Sequence, residues 1–165
     1  MAEDWLDKLL GDFQNAITRG TYEGLSLLDE GSRDTVMEAQ ARSCVKAYAE
    51  LFDIPAELSL EDFLEKMAFG GSSKVNIERD GDTIIWEEEH NGECMCPLVK
   101  RGGVDLDSML CSCAVHWLRM LVQRHTDRRV AVELIDSVAN GAQNCSFRVR
   151  IGDGEGGDGG GEVAD

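Results

Sequence analysis

The chain has 165 residues, 42% hydrophobic and 29% charged, the proportions of one soluble globular domain that needs no disulfides to form a core. Its formal net charge is -16, from 32 acids and 16 bases, which repels phosphate backbones and anionic membrane surfaces and so argues against nucleic acid or a membrane as partner. Its apolar runs fall far short of the roughly 20 residues of a membrane helix. The start, Met1-Ala2-Glu3-Asp4, lacks the basic and apolar regions of a secretion signal, so a cytoplasmic location is expected.

Residues 1–69 read as a helical region. Trp5, Leu6, Leu9, Leu10, Phe13, Ala16 and Ile17 follow the i, i+3, i+4 rule of an amphipathic helix. Gly20 is a stop signal for it, and a short helix is expected over 22–28. Ser32 can cap a longer helix to about Phe52, with Met37, Ala41, Cys44, Val45, Tyr48, Leu51 and Phe52 on its apolar face. Ser59-Leu60-Glu61-Asp62 resembles a capping box and opens another helix. Gly70-Gly71-Ser72-Ser73 reads as a flexible link.

The pattern then changes to strands. Asp80-Gly81-Asp82 between Val75, Ile77 and Ile84, Ile85, Trp86 is a strong hairpin signal. A helix is expected over 113–123. Residues 129–138 and 144–151 alternate apolar and polar, as strands with one face on a core, and the turn between them makes a second hairpin. The end, 152–165, is mostly Gly, Asp and Glu and reads as a disordered acidic tail. The expected fold is α+β: N-terminal helices, then an antiparallel sheet built of hairpins with a packed helix.

Six cysteines occur, at 44, 94, 96, 111, 113 and 145. In a reducing compartment such a count points to metal or packing before disulfides. In Cys94-Met95-Cys96-Pro97, side chains two apart on an extended segment point the same way. In Cys111-Ser112-Cys113, residues two apart on a regular helix would diverge by about 200°. Both sulfurs reach one ion only if the pair straddles a helix start, with Cys111 before it and Cys113 in the first turn. There the helix dipole would lower the thiol pKa. Four sulfurs, Cys94, Cys96, Cys111 and Cys113, suit tetrahedral zinc. Iron is the weaker fit, because the spacing matches no common iron–sulfur run.

His116, three residues beyond Cys113, and Cys145, opening the last strand, are further candidates as ligands or as groups supporting them. Cys44 is expected in the core, His90 in an exposed acidic segment, and His125 as a structural group at a helix C-terminus. Trp86, Trp117 and Glu133 are candidate pocket residues. No catalytic residue can be assigned, and no nucleophile elbow, P-loop or dinucleotide fingerprint occurs.

Several of these segments carry a resemblance. Cys94-Met95-Cys96-Pro97-Leu98-Val99, Cys111-Ser112-Cys113, Val130-Ala131-Val132-Glu133-Leu134 and the closing Ser137, Gly141, Cys145 and Phe147 resemble the 4-vinyl reductase group of small-ligand domains. They also resemble related uncharacterised bacterial proteins and hydrolases acting on 2-aminothiazoline-4-carboxylate. The resemblance spans about 70–151. It implies a domain that binds a small organic or hydrophobic ligand, with a cysteine-bound metal nearby. Ser137 stands where those domains often carry a cysteine, which favours ligands from the two C-x-C pairs. The expected function is a cytoplasmic small-molecule-binding domain with a structural zinc. Two alternatives stay open. One is a metal- or cysteine-dependent hydrolase, with Cys113 and His116 as one possible pair. The other is a structural module that forms a homodimer through its N-terminal helices.

Overall fold

A computed structural model of the chain describes residues 2–70 and 74–152. The acidic tail beyond Gly152 and the link residues 71–73 lie outside the described residues. The helical region holds α1 (Ala2–Ser26), α2 (Glu30–Leu51) and α3 (Leu60–Gly70). Helix α1 runs straight through Gly20, where a stop was expected. Glycine inside a helix costs about 1 kcal/mol. Beyond it Tyr22 and Leu25 are buried, and burial of such side chains stabilises by roughly 1.5–3 kcal/mol each. Tertiary packing therefore outweighs the local signal.

The cap of α2 is Asp29, not Ser32. The Ser32 amide donates to Asp29 Oδ1 at 3.0 Å and its hydroxyl donates to Oδ2 at 2.6 Å. A carboxylate at that position also complements the positive end of the helix dipole. Along α2 the buried residues are Met37, Ala41, Val45 and Ala49. Cys44 and Leu51 are exposed, since the buried stripe is narrower than the apolar pattern and runs beside them.

Helix α3 starts as its sequence signal requires. The Asp62 amide donates to Ser59 Oγ at 3.1 Å, and that hydroxyl donates to Asp62 Oδ2 at 2.7 Å. Replacing Ser59 by alanine is expected to cost about 1 kcal/mol, read as a lower urea midpoint with an unchanged slope.

Strands β1 (Val75–Asp80) and β2 (Thr83–Glu88) form the first hairpin, with Gly81 at φ +57° in its turn. A four-residue helix, α4 (Pro97–Lys100), follows, then α5 (Cys111–Gln123), β3 (Val130–Asp136) and β4 (Cys145–Ile151). The four strands form one antiparallel sheet in the order β1-β2-β4-β3. The register sets Ile77 beside Trp86, Trp86 beside Phe147, and Phe147 beside Leu134. That face meets α3 and α5, and α2 packs along α5. The opposite face carries the row Glu78, Ile85, Arg148, Glu133 and is largely polar. The α+β architecture expected from the patterning is the one observed.

Candidate metal centre

Five of the six cysteines come from three places in the chain, the stretch after β2, the start of α5 and the start of β4; Cys44 lies on α2. Cys94 and Cys96 lie on the irregular stretch between β2 and α4. That stretch turns at Asn91 and Gly92, both at positive φ. It is tied down by Gly92 N donating to Gln143 O at 2.7 Å and His90 N donating to Asn144 Oδ1 at 3.1 Å. Cys96 is the residue before α4, and Pro97 holds the first helical position, where its missing N–H costs nothing. Cys145 opens β4 opposite Glu88.

Cys111 is the first residue of α5 and Cys113 the third, after a 3-10 turn over Ser108–Leu110 capped by Asp107. The helix thus begins one residue earlier than a straddling pair requires. Both cysteines have helical geometry, so their side chains leave α5 in different directions. The electrostatics follow that divergence. Cys96 feels Cys94 and Cys111, Cys111 feels Cys94, and Cys145 feels Cys111 and Cys94. Cys113 instead interacts with Cys96 and Cys44, and with Tyr22 on α1.

Burial governs the thiols. Desolvation raises Cys96 and Cys111 and pushes Cys145 up to about 11 and Cys113 up to about 12. The lowering expected at a helix start is therefore overridden by desolvation. Several groups nonetheless favour the thiolates: the backbone of Leu98 and Val99 at Cys96, of Val138 at Cys145, and the Ser137 hydroxyl at Cys111. Ser137 is fully buried, and its Oγ has no hydrogen-bond partner of normal geometry. All six cysteines are free thiols. Among the described residues, no three His, Cys, Asp or Glu side chains are grouped closely enough to form a ready-made metal site.

The histidines are engaged elsewhere. His116 Nε2 lies 2.7 Å from Asp34 Oδ1 on α2. A Cys113 thiol at about 12 is protonated at neutral pH and a poor nucleophile. The Cys113–His116 pair thus lacks an activated sulfur. His90 is buried, in contrast to the exposure expected for its acidic segment, because Glu88 turns inward to meet it at 3.2 Å. Trp86 Nε1 donates to the same carboxylate at 3.1 Å. His125 is structural, as expected. It stacks on Phe63 at 4.2 Å, its Nδ1 lies 3.2 Å from Leu58 O, and burial lowers its pKa.

The three candidate pocket residues are not brought together. Trp86 is fully buried in the main core, stacked with Phe63. Trp117 packs edge-on against Tyr48 at 5.1 Å. Glu133 is on the open face of the sheet, where Arg148 donates to it at 2.9 Å. A second, smaller apolar cluster lies beneath the cysteine loop: Tyr22, Leu25, Met37 and Leu110, with Leu98, Val99 and Cys113 beside them. Nothing in the sequence pattern marked it, since its members come from four separate segments.

Tyr22 donates from its hydroxyl to Gln40 Oε1 at 2.6 Å. Burial raises its pKa from 10.0 to about 12, with the Gln40 hydrogen bond opposing the shift and the charges of Cys113, Cys96 and Cys44 adding to it. The neutral phenol is thus favoured by folding. The associated stability is present below about pH 10 and is lost as pH rises towards 12. The full shift is worth about 3 kcal/mol. Comparing urea midpoints at pH 8 and 11 for the parent chain and Tyr22→Phe should show a smaller alkaline loss in the variant.

The fold so defined is a one-layer antiparallel sheet with α3 and α5 packed against one face. No family model and no curated protein sequence matches the chain. Among solved structures it is similar to a trafficking protein particle complex subunit 3 from Naegleria fowleri, determined covalently bound to palmitic acid. The TM-score is 0.51 and the identity 11%, over 88% of this chain and 97% of that one. The likeness is one of fold. Among the described residues, no helix is long and apolar enough to cross a membrane.

Proposed function

We propose that the chain is a cytoplasmic small-molecule-binding domain of the 4-vinyl reductase type, clasped by one structural zinc held by Cys94, Cys96, Cys111 and Cys145. The observation that carries this reading is the start of α5. With Cys111 and Cys113 both helical, their side chains diverge; Cys145 is influenced by Cys111 and Cys94, whereas Cys113 is influenced by Cys44 and, among the proposed ligands, by Cys96 alone. The donor chemistry fits zinc, which takes thiolate ligands in closed structural sites. The buried, unpartnered Ser137 hydroxyl beside Cys111 is a donor suited to a metal-bound thiolate. Thiols that burial keeps protonated give up their protons when a metal binds.

The zinc supplies cross-linking, not chemistry. Bound there, it would tie the stretch carrying Cys94 and Cys96 to α5 and β4, and α4, which follows that stretch, packs on the smaller apolar cluster through Leu98 and Val99. The palmitate-bound protein of the same fold supports an apolar ligand as the class.

Native mass spectrometry of the full chain, purified reduced and without chelator, tests both parts. One zinc per chain and a further small-molecule adduct are expected. A spectrum of bare chain alone overturns the reading.

A further inference from the structure

Helix α1 has two apolar faces, and only one of them meets the rest of the chain. Its docked stripe is Gly11, Asn15, Thr18, Tyr22 and Leu25, the positions of lowest exposure along the helix. Asn15 Nδ2 donates to Arg101 O at 3.1 Å. Gly103 lets the backbone approach closely, since a Cβ there would stand 3.4 Å from Thr18 and 3.3 Å from the Leu98 carbonyl. Tyr22 and Leu25 enter the smaller apolar cluster.

The other stripe is Trp5, Leu6, Leu9, Leu10, Phe13 and Ile17. At about 100° per residue it is centred on the opposite side of the helix from the docked stripe. The chain cannot cover both sides at once. These six side chains are 40–68% exposed, with Trp5 at 59%, Phe13 at 61% and Ile17 at 68%. No residue from Trp5 to Thr21 is buried. A helical stretch of that length held by so few contacts is marginal by itself.

We infer that this stripe is the self-association face of the protein, and that its occupant is the same stripe of a second copy packed antiparallel about a two-fold axis near Gly11. The arrangement is self-complementary. Trp5 of one copy meets Ile17 of the other, and Leu9 meets Phe13, so aromatic and aliphatic side chains alternate across the seam. Leu6, Leu9, Phe13 and Ala16 keep the 3.5-residue spacing that lets two helices stay in contact. At roughly 100 Å² for each exposed apolar side chain, about 600 Å² is covered per copy and about 1,200 Å² in the pair, the lower bound of specific interfaces.

Charge disfavours the other common occupant of such a face. Asp7, Asp12 and Glu23 outnumber Lys8 and Arg19 along the flanks of α1, and the chain as a whole stands at -16. Helices that lie on anionic lipid carry the reverse balance. The inference is independent of the metal, because α1 contributes no cysteine.

Sedimentation equilibrium on the full chain reads the result. A mass twice 18.1 kDa is expected, and Phe13→Glu with Ile17→Glu should give monomer with unchanged melting of the core. These side chains face solvent in the single chain, so folding does not depend on them. Hydrogen exchange of the parent chain adds a variant-free measurement: amide protection over residues 5–17 should rise with protein concentration. A parent chain that stays monomeric at its highest attainable concentration overturns the inference. So does a dimer that survives the double variant, or protection that ignores concentration. A monomer that co-sediments with phosphatidylcholine vesicles through this face assigns it to lipid instead.

Discussion

Replacing Cys145 by serine is expected to abolish zinc binding and lower the melting temperature, whereas Cys113→Ser keeps one zinc per chain. The contrast follows from geometry. Cys145 begins β4, opposite Glu88, within reach of the fields of Cys94 and Cys111. Cys113, two residues into α5, is turned towards Cys44 and Tyr22. Removing one of four thiolates leaves a site that cannot close, and the binding energy of a structural metal is folding energy. Cys113→Ser instead places a hydroxyl in a desolvated position, which costs about 1–3 kcal/mol without touching the metal. Ser137→Ala is intermediate. Loss of a group that bonds a ligand typically weakens metal affinity by about 10–100-fold. Elemental analysis with thermal melts of the three variants separates these cases. Metal lost from Cys113→Ser but retained by Cys145→Ser would restore the two C-x-C pairs as the ligand set.

The second large effect is in the main core. Trp86→Ala is expected to cost about 3–5 kcal/mol, enough to leave many domains of this size partly unfolded. Trp86 is fully buried, pairs in register with Ile77 and Phe147, stacks on Phe63, and donates its indole N–H to Glu88. The substitution removes an aromatic ring and the donor that Glu88 receives in the interior, so both cavity and polar terms act together. Trp86→Phe separates them, since it keeps most of the volume and loses the hydrogen bond. If both variants denature at the parent's urea concentration, Trp86 is not the centre of the core.

The sequence carried the local half of this structure. An Asp-Gly pair between apolar runs closes a hairpin through contacts a few residues apart, and β1 and β2 formed where the pattern put them. The Ser59 capping box works within one helical turn, so its signal is complete in four residues. Strand alternation likewise placed Val132, Leu134, Phe147 and Val149 on one face.

What failed was decided by contacts far apart in the chain. Gly20 does not stop α1 because Tyr22 and Leu25 find Met37 and Leu110, a gain no neighbouring residue encodes. Trp86 and Glu133 belong to different faces of the sheet, and only the order β1-β2-β4-β3 shows it. At the start of α5, one turn of 3-10 helix ahead of Cys111 leaves both Cys111 and Cys113 in helical geometry, where a pair straddling the helix start was expected. Residue types and their spacing were enough to say which strands have an apolar face, because that is written in local periodicity. Which face of α1 remains uncovered depends on how distant segments divide a limited apolar surface, and that was settled only when the chain closed on itself.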